Sequence, residues 1–323
     1  MEIVKPPRVR IGATIGAIAP SFPLLPEWQG QYERGKATLR GMGFGIKEGR
    51  TMGLRCGWAA GTSQDQAQDI NAMFLDPEVT AIIAHAGGFP AMSVLDHLDY
   101  AAIRAHPKPF LGMSDITLYH LALFARCGMV GFHTDMLTDG LGDAWDHLDE
   151  NRRAYLTHLY KQSLTSIVPI GPIEPGRTWE CWRAGRARGP LIGGCLKRIT
   201  ALAATPYFPP LAAFDGAILF WEEIGREIWD LSIDLYILKH MGIFDRIAGM
   251  LIGKLTWINQ SFAGIEYPSL REAIFDVIGD YRFPVMANMD FGHQIANIPL
   301  PIGINASFDA KSGTFALLEA PVQ

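Results

Sequence analysis

The sequence places a serine where an apolar run meets a helical pattern. Residues 110–115 read FLGMSD, so a G-x-S motif ends a predicted strand, and helical periodicity begins at Asp115. A serine on a tight strand-to-helix turn exposes its hydroxyl, and the helix N-terminus behind it supplies backbone N–H groups and a positive dipole. Ser114 is therefore a candidate nucleophile. The competing interpretation is that this residue or Asp115 only caps the helix, since Ile116 stands where such turns usually carry a second glycine.

Two consecutive glycines follow another predicted buried strand. Residues 85–89 read HAGGF and come directly after the β-branched run 79–84. Backbone N–H groups exposed by Gly87 and Gly88 can donate to the charge of a tetrahedral intermediate, which is half of an oxyanion hole. An ordinary turn is the alternative for a Gly-Gly pair.

An acid and a histidine follow later in the chain. The apolar run LFW ends in Glu222 and Glu223, and residues 290–293 read DFGH, which places His293 in a glycine-containing loop. Either carboxylate can orient a catalytic imidazole, or it can be a solvated strand end, and the histidine can be an ordinary surface residue. Their order after Ser114 nevertheless completes the set needed for nucleophilic acyl chemistry.

These residues need a scaffold of strands and helices that alternate along the first half of the chain. The patterns predict strands at 9–18, 44–47, 79–84 and 109–112, and helices at 31–41, 63–74, 91–98 and 115–127, with Ser63 as an N-cap. Alternation at this spacing predicts an α/β fold with a parallel sheet and helices on both faces. Ligands then bind beyond the carboxyl ends of the strands.

The pattern changes near residue 165. We predict a first domain at 1–165, a Pro-rich linker at 166–188 and a smaller mixed α/β or barrel-like domain at 189–323. The last part contains predicted strands at 217–221 and 247–255 and a helix at 229–241. The candidate site then draws its serine from one domain and its acid and histidine from the other.

Composition excludes several classes of protein. The 323 residues contain 28 Lys and Arg against 33 Asp and Glu, a net charge of −5, with 49% hydrophobic residues, so the chain is globular rather than disordered. No basic patch suits nucleic acid or an anionic membrane. No apolar run approaches the ~18 residues of a spanning helix, and the first residues lack a signal-peptide core, so we expect a cytoplasmic protein. Four scattered cysteines without a C-x-x-C pair argue against disulfides and against a metal site.

Seven motifs in the same order resemble one known family, the serine peptidases that include the LD-carboxypeptidases and the microcin C immunity (MccF-like) peptidases. The resemblance covers nearly the whole chain. The motifs are IGATIGAIAPS at 11–21, AAGTSQDQAQDINAMFLDPEVTAIIAHAGG at 59–88, FLGMSDITLYHLAL at 110–123, RARGPLIGG at 186–194, ILFWEE at 218–223, GIFDRIAGMLIGKL at 242–255 and FGHQIANIPLPIG at 291–303.

The resemblance implies a role for each candidate residue. It implies Ser114 as nucleophile, His293 as general base, and Glu222 rather than Glu223 as the acid that orients the imidazole. It implies an oxyanion hole made by the backbone N–H groups of Gly88 and Asp115. It also implies a Rossmann-like N-terminal domain with a swivelling β/α C-terminal domain, no cofactor, a cytoplasmic homodimer, and cleavage of amide bonds near a free carboxylate.

The sequence departs from the carboxypeptidase branch at positions expected to bind substrate. Ala86 and the segment 232–235 (SIDL) stand where that branch carries arginines, Phe89 stands where it has tyrosine, and Cys195 stands where it has asparagine. The loss of two arginines removes donors for a terminal carboxylate. Besides Phe89, Gly87 and His133 are candidate substrate-binding residues beside the predicted strand ends.

The MccF-like branch also lacks the first arginine and uses aromatic side chains to hold a nucleotide-like leaving group. Trp179 and Trp182 in the central segment are candidates for that contact, and packing between the domains is their alternative role. We therefore predict an amidohydrolase acting on a small peptide or peptidyl-nucleotide conjugate. The alternatives are a murein LD-carboxypeptidase, a catalytically silent binding protein, and a hydrolase that uses Cys195 or Cys127.

Overall fold

A computed structural model describes residues 2–262, 265–266 and 269–323 of the chain. The strands are β1 Thr14–Ile18, β2 Gly45–Glu48, β3 Val79–Ala84, β4 Phe110–Gly112, β5 Phe132–His133, β6 Gly171–Pro172, β7 Glu180–Arg183, β8 Arg186–Cys195, β9 Ile218–Ile224, β10 Gly249–Thr256, β11 Ser261–Phe262, β12 Ile265–Glu266, β13 Val285–Ala287, β14 Leu300–Pro301, β15 Asn305–Asp309 and β16 Thr314–Leu317. The α-helices are α1 Gln29–Gly41, α2 Ser63–Leu75, α3 Tyr100–Ala105, α4 Ile116–Cys127, α5 Glu150–Thr165, α6 Leu196–Ala201, α7 Ile228–His240 and α8 Leu270–Ile278.

The first half of the chain forms a mostly parallel sheet, as its alternating pattern predicts. The strand order is β14-β5-β4-β3-β1-β2, and only β14 runs antiparallel to its neighbour. The central strand β3 reads VTAIIA and is buried along almost its whole length, which is the pattern of a strand covered on both faces. The carboxyl ends of β3, β4 and β5 therefore lie side by side and present the residues that follow each strand.

The second half of the chain is built on a larger mixed sheet. Its order is β6-β16-β15-β8-β9-β10-β13-β7, with a parallel core formed by β8, β9, β10 and β13 and antiparallel strands at both edges. Glu222 lies near the carboxyl end of β9 in this core. The chain is thus an α/β protein built mainly on these two sheets, while β11 and β12 form a separate two-stranded antiparallel sheet. The buried apolar side chains of both halves form one continuous cluster.

Two segments connect the sheets in ways that the sequence does not suggest. Segment 166–188 contains β6 and β7, which are the two edge strands of the second sheet, and the start of β8. The late strand β14 returns to the first sheet, where Leu300 pairs with His133. The domain division 1–165, 166–188 and 189–323 remains a prediction.

Two local predictions need correction. Residues Pro90–His97 form a 3₁₀-helix instead of an α-helix. Helix α2 is capped by Thr62 instead of Ser63: the Thr62 hydroxyl accepts a hydrogen bond from the Asp65 N–H, while the Asp65 carboxylate accepts one from the Thr62 N–H. This capping box satisfies two backbone donors that the first turn would otherwise leave free. In the part of the chain that the structure describes, no helix is long and apolar enough to cross a membrane.

The capping box gives a test of the fold. We expect Thr62→Ala to lower the free energy of unfolding by about 1 kcal/mol, because the Asp65 N–H loses its acceptor. Thr62→Ser keeps the hydroxyl and should stay within a few tenths of a kcal/mol of the parent, as measured by urea denaturation. An equal loss in both variants would show that the methyl group, rather than the cap, is responsible.

Candidate active site

Ser114 lies on a sharp turn between β4 and α4. Its backbone is in the left-handed region at φ 60°, which is uncommon for a residue other than glycine. Gly112 explains how the turn tolerates Ile116, since a Cβ at Gly112 would lie 2.9 Å from Ile116 Cγ1. The bulky residue thus occupies space that a side chain at position 112 would need. The strand-turn-helix geometry is that of a nucleophile elbow.

The Gly87–Gly88 turn packs directly against this serine. A Cβ at Gly87 would lie 3.0 Å from Ser114 Oγ, and one at Gly88 would lie 2.4 Å from Ser21 Oγ, so both positions require glycine. The Gly88 carbonyl accepts a hydrogen bond of 2.8 Å from Arg198 Nη2. That contact holds the peptide plane of the turn from the side of the second sheet.

Asp115 occupies the N-cap position of α4, yet its carboxylate caps nothing. Instead it is fully buried, where it accepts hydrogen bonds from Ser21 Oγ at 2.6 Å and from the Ala91 N–H at 3.0 Å, and lies 3.1 Å from Arg198 Nε. This carboxylate therefore joins the segment after β1, the turn after β3 and helix α6. The interpretation of Asp115 as a simple cap is wrong.

Glu222 and His293 are in direct contact. His293 Nδ1 and Glu222 Oε2 are 2.7 Å apart, and Glu222 has no exposed surface. The neighbouring Glu223 faces α6 instead, because its carboxylate accepts hydrogen bonds from the Lys197 N–H at 2.8 Å and the Ile224 N–H at 3.0 Å. The geometry thus distinguishes two acids that are adjacent in sequence.

The environment of His293 favours its protonated form. Burial lowers the pKa of His293, but the Glu222 carboxylate, with smaller contributions from Asp139 and Glu223, outweighs burial and raises the pKa above its usual value. An imidazole held by a buried carboxylate at Nδ1 leaves Nε2 for proton transfer. This pair can therefore act as a general base and acid.

The loop that carries His293 is anchored on both sides. Before it, Gly292 N–H donates to Asn297 Oδ1 at 2.6 Å, and Asn297 Nδ2 in turn donates to Asp135 Oδ1 at 2.6 Å. The carbonyl of His293 itself accepts a hydrogen bond of 3.0 Å from the Thr256 hydroxyl at the end of β10. Burial raises the pKa of Asp135 to about 6 despite several donors to its carboxylate.

Asp290 provides a further anchor. Its carboxylate accepts hydrogen bonds from the Gly176 N–H at 2.6 Å, from Arg177 Nε at 3.0 Å and from Trp179 Nε1 at 3.1 Å, and it lies 3.2 Å from Arg152 Nη2. Segment 176–179 is thereby fastened to the histidine loop. Sequence reasoning missed Asp290, Asn297 and Asp135, although the first two flank His293 within eight residues.

Two contacts join the part of the site around Ser114 to the part around Glu222 and His293. Cys195 N–H donates to the Thr117 hydroxyl at 3.0 Å, one helical turn after Ser114, and Cys195 pairs with Glu222 between β8 and β9. From the other side, Asn297 Nδ2 lies 3.6 Å from Met113 Sδ. Residues close in sequence to Ser114 thus contact residues that neighbour Glu222 and His293.

Predicted substrate-binding residues take different positions. Phe89 is 65% exposed beside the glycine turn, with Arg198 over its ring. His133 and Trp179 are buried: His133 is fully enclosed against Phe220 and Phe291, and Trp179 packs edge-on against Phe315. Neither buried ring is on a surface that a substrate can reach in this conformation.

Trp182 lines a cavity of about 250 Å³ next to the histidine loop. Lys254 and Asn288 share this cavity, and the Lys254 N–H donates to the Phe291 carbonyl at 2.7 Å. The polar and aromatic lining of the cavity thus consists of Trp182, Lys254, Asn288 and the Glu180 carboxylate, and Lys254 is hydrogen-bonded to the loop two residues before His293.

The cysteine alternative is contradicted by burial. Cys195 and Cys127 are both buried, which raises the pKa of the Cys195 thiol well above its usual value and that of Cys127 to about 11. Reactive thiols need the opposite shift, because the thiolate is the nucleophile. Cys195 does lie between a strand and a helix, as the N-cap of α6, but its backbone is extended at φ −68°, whereas Ser114 has the left-handed φ of 60°. Cys127 is the last residue of α4.

Comparisons with known proteins agree with the two-sheet arrangement. The LD-carboxypeptidase N-terminal domain matches residues 15–134, and the LD-carboxypeptidase C-terminal domain matches residues 188–308. Two relatives, both named provisionally, are similar along nearly the whole chain. A carboxypeptidase of Streptomyces coelicolor is 33% identical over 98% of this chain and 96% of its own length. A murein peptide carboxypeptidase of Bacillus subtilis is 29% identical over 98% of this chain and 95% of its own length.

A third relative has been solved with a ligand. The microcin C7 self-immunity protein MccF of Escherichia coli is 26% identical over 96% of this chain and 94% of its own length. The structure of MccF in complex with aspartyl sulfamoyl adenosine superposes with a TM-score of 0.88 at 23% identity and covers 99% of this chain and 100% of that one.

The Glu222–His293 contact predicts the titration of the imidazole. Glu222→Gln removes the carboxylate that opposes burial, so the pKa of His293 should fall. NMR titration of the histidine side chains measures this, with His293→Asn identifying the resonance. Glu223→Gln is the matched control and should lower the pKa much less; equal shifts would contradict the assignment of Glu222 as the main partner.

Proposed function

Because the chain belongs to the LD-carboxypeptidase family of serine peptidases, we propose that it cleaves an amide bond with a catalytic triad of Ser114, His293 and Glu222. The observation that carries the proposal is the 2.7 Å contact between His293 Nδ1 and the buried Glu222 carboxylate. The left-handed turn at Ser114 supports it. Glu223 has no such part, since its oxygens accept backbone hydrogen bonds from Lys197 of α6 and from Ile224 at the end of β9.

The first chemical step forms an acyl-enzyme. His293 Nε2 takes the proton from Ser114 Oγ while Oγ attacks the carbonyl carbon of the substrate. The imidazolium then gives that proton to the leaving nitrogen, and the C–N bond breaks. Glu222 keeps the proton on Nδ1 and stabilises the imidazolium, as its effect on the pKa of His293 requires.

The second step reverses these roles with water. His293 takes a proton from water as the water oxygen attacks the ester carbonyl, and the imidazolium then gives that proton to Ser114 Oγ as the bond between Oγ and the acyl carbon breaks. The products are an amine and a carboxylic acid, and the enzyme regains its starting state. Ser114 and His293, together with the substrate and water, account for every proton transfer in this cycle.

The backbone N–H groups of Gly88 and Asp115 form the oxyanion hole in this proposal. Support comes from Gly87, which packs against Ser114 Oγ, and from Arg198, which holds the Gly88 carbonyl turned toward α6. A fixed pair of backbone donors is effective because it needs no reorganisation when the charge develops. The buried anchors of the Asp115 carboxylate serve the same purpose.

We place the substrate among small peptides and peptidyl-nucleotide conjugates, with the leaving group in the Trp182 cavity. The ring of Trp182 offers a stacking face and Lys254 offers a cationic donor for an anionic linker, while Asn288 Nδ2 donates to the Thr178 carbonyl at 3.1 Å. The similarity to MccF supports this choice. Trp179 is a weaker candidate for the same contact, because it is buried and its indole N–H donates a hydrogen bond to the Asp290 carboxylate.

Murein LD-carboxypeptidase activity is the second candidate. It is supported by the Bacillus subtilis relative, whose name refers to murein peptides. In that reaction Phe89 and Gly87 would border a peptide instead of a nucleotide conjugate. Both candidate activities use the same triad, so they differ only in the pockets that bind the substrate on either side of the scissile bond.

A cytoplasmic homodimer completes the proposal. Cys56 and Cys181 are exposed and free, which fits a reducing compartment. Ile167 and Val168 are adjacent and each more than half exposed, so they offer an apolar surface for a second copy.

A paired turnover assay tests the reaction and the substrate together. Mass spectrometry would follow an L,D-linked muropeptide tetrapeptide and an aminoacyl phosphoramidate adenylate, each with the parent and with Ser114→Ala. We expect cleavage of the adenylate by the parent and a loss of at least about 10⁴-fold in the variant. Labelling by a serine-directed phosphonate, present in the parent and absent from the variant, separates an enzyme from a silent binding protein. Turnover that survives Ser114→Ala would disprove the triad.

The Trp182 cavity gives a separate prediction. Trp182→Ala should raise KM for the adenylate by roughly 5- to 150-fold, the equivalent of about 1–3 kcal/mol of stacking, and leave muropeptide cleavage unchanged. Trp182→Phe should retain most of the affinity. Trp257→Ala removes a 70% exposed tryptophan at the end of β10 and serves as the control. A KM that does not respond to Trp182→Ala would remove the leaving group from this cavity.

A further inference from the structure

A single turn of π-helix, Leu137–Leu141, follows β5 and borders the candidate site. Its Thr138 N–H donates to the His85 carbonyl at 2.8 Å, and the Thr138 hydroxyl lies 3.1 Å from His85 Nδ1. His85 is two residues before Gly87, which packs on Ser114. The π turn is therefore attached to the same segment as the proposed oxyanion hole, and such turns often mark functional sites.

Tight packing fixes the direction of this turn. A Cβ at Gly140 would lie 2.3 Å from Asp135 Cβ, and one at Gly35 would lie 1.8 Å from the Leu137 carbonyl oxygen. Four of the five residues of the turn are buried, and only Asp139 is exposed. The rigid frame thus presents one carboxylate to solvent.

The Asp139 carboxylate has no cationic side chain as a salt-bridge partner anywhere in residues 2–262, 265–266 and 269–323. Burial by the surrounding protein raises the pKa of Asp139, while part of its side chain stays accessible to solvent. This combination is typical of a carboxylate in a cleft rather than on an open surface. The charged groups that act on it are His293 and Asp143. Asp139 is therefore an unpaired acid near the catalytic imidazole.

Position determines which part of a substrate this acid faces. The Trp182 cavity adjoins β10 and β13 of the second sheet, whereas Asp139 follows β5 of the first sheet, and its neighbour Thr138 is hydrogen-bonded to His85, two residues before Gly87. If the leaving group occupies the cavity, the acyl side of the scissile bond extends toward Asp139. An unpaired carboxylate in a partly desolvated position favours a cation there.

We propose that Asp139 is a specificity-determining residue that binds an ammonium group on the acyl side of the scissile bond. The inference rests on the proposed function, because it assumes that Ser114 attacks the carbonyl of the substrate. Two substrate sources share this chemistry: the free α-ammonium of an aminoacyl group and the side-chain ammonium of a diamino acid. The α-ammonium is on the carbon bonded to the carbonyl that Ser114 attacks, whereas the side-chain ammonium is at the end of a flexible side chain of the same acyl residue.

The experiment compares matched substrates with and without the ammonium. One pair is an aminoacyl phosphoramidate adenylate and its N-acetyl form; the other is N-acetyl-Lys-D-Ala and N-acetyl-norleucyl-D-Ala. For the parent we expect kcat/KM to favour the ammonium member of one pair by about tenfold, and Asp139→Asn should abolish that preference, so that the ratio of the two kcat/KM values falls to about one. The pair that responds identifies the source.

The ratio of the two kcat/KM values isolates substrate binding from catalysis. Asp139 also raises the pKa of His293, so Asp139→Asn changes the rate for every substrate, and that shared change cancels in the ratio. Asp143→Asn removes a nearby charge from the same stretch and should keep the preference. Equal losses on both members of each pair, or a preference that persists in Asp139→Asn, would overturn the inference.

Failure of the proposed function gives a different result. In that case none of the four compounds is cleaved in a Ser114-dependent way, and calorimetry with Ser114→Ala decides the inference alone. Tighter binding of an ammonium ligand than of its neutral partner, lost when Asp139→Asn is added, supports the inference. Equal binding of the two members, or no binding, overturns it.

Discussion

The fully buried carboxylate of Glu222 is the feature on which the rest of the site depends. An isolated charge in such a position costs several kcal/mol, and the contact with His293 at 2.7 Å supplies the compensating partner. The imidazole must therefore stay in place even without a substrate. This requirement explains why its loop is fastened to Asn297, to Thr256 and, through Asp290, to the central segment. The loop is a rigid part of the fold.

Backbone strain is concentrated in the same region. In the part of the chain that the structure describes, four residues other than glycine have positive φ: Ser114, Trp257, Asn288 and Gln294. Each lies just beyond the carboxyl end of a strand or next to His293. Such conformations cost about 1–3 kcal/mol each and persist only where surrounding contacts hold them. The cores of the two sheets bear this cost, which is one reason why a small site needs so large a scaffold.

Sequence reasoning predicted the parallel sheet and the three candidate residues because these depend on local patterns. The run 79–84 is apolar throughout, and the turn around Ser114 has a G-x-S signature. Long-range contacts are beyond such patterns. Nothing in the sequence indicates that Asp135 meets Asn297, that Arg198 holds Gly88, or that β14 joins the first sheet. Thr62 replaced Ser63 as the cap because only its hydroxyl faces the Asp65 N–H.

The return of β14 to the first sheet has a consequence for synthesis on the ribosome. An amino-terminal domain normally folds as soon as it emerges. Here β5 lacks one of its neighbours until residue 300 has been made, and an unpaired strand edge is open to pairing with other chains. His293 arrives in the same stretch of chain. Completion of the sheet and delivery of the histidine are thus one late event, so no partly synthesised chain carries the complete set of candidate residues.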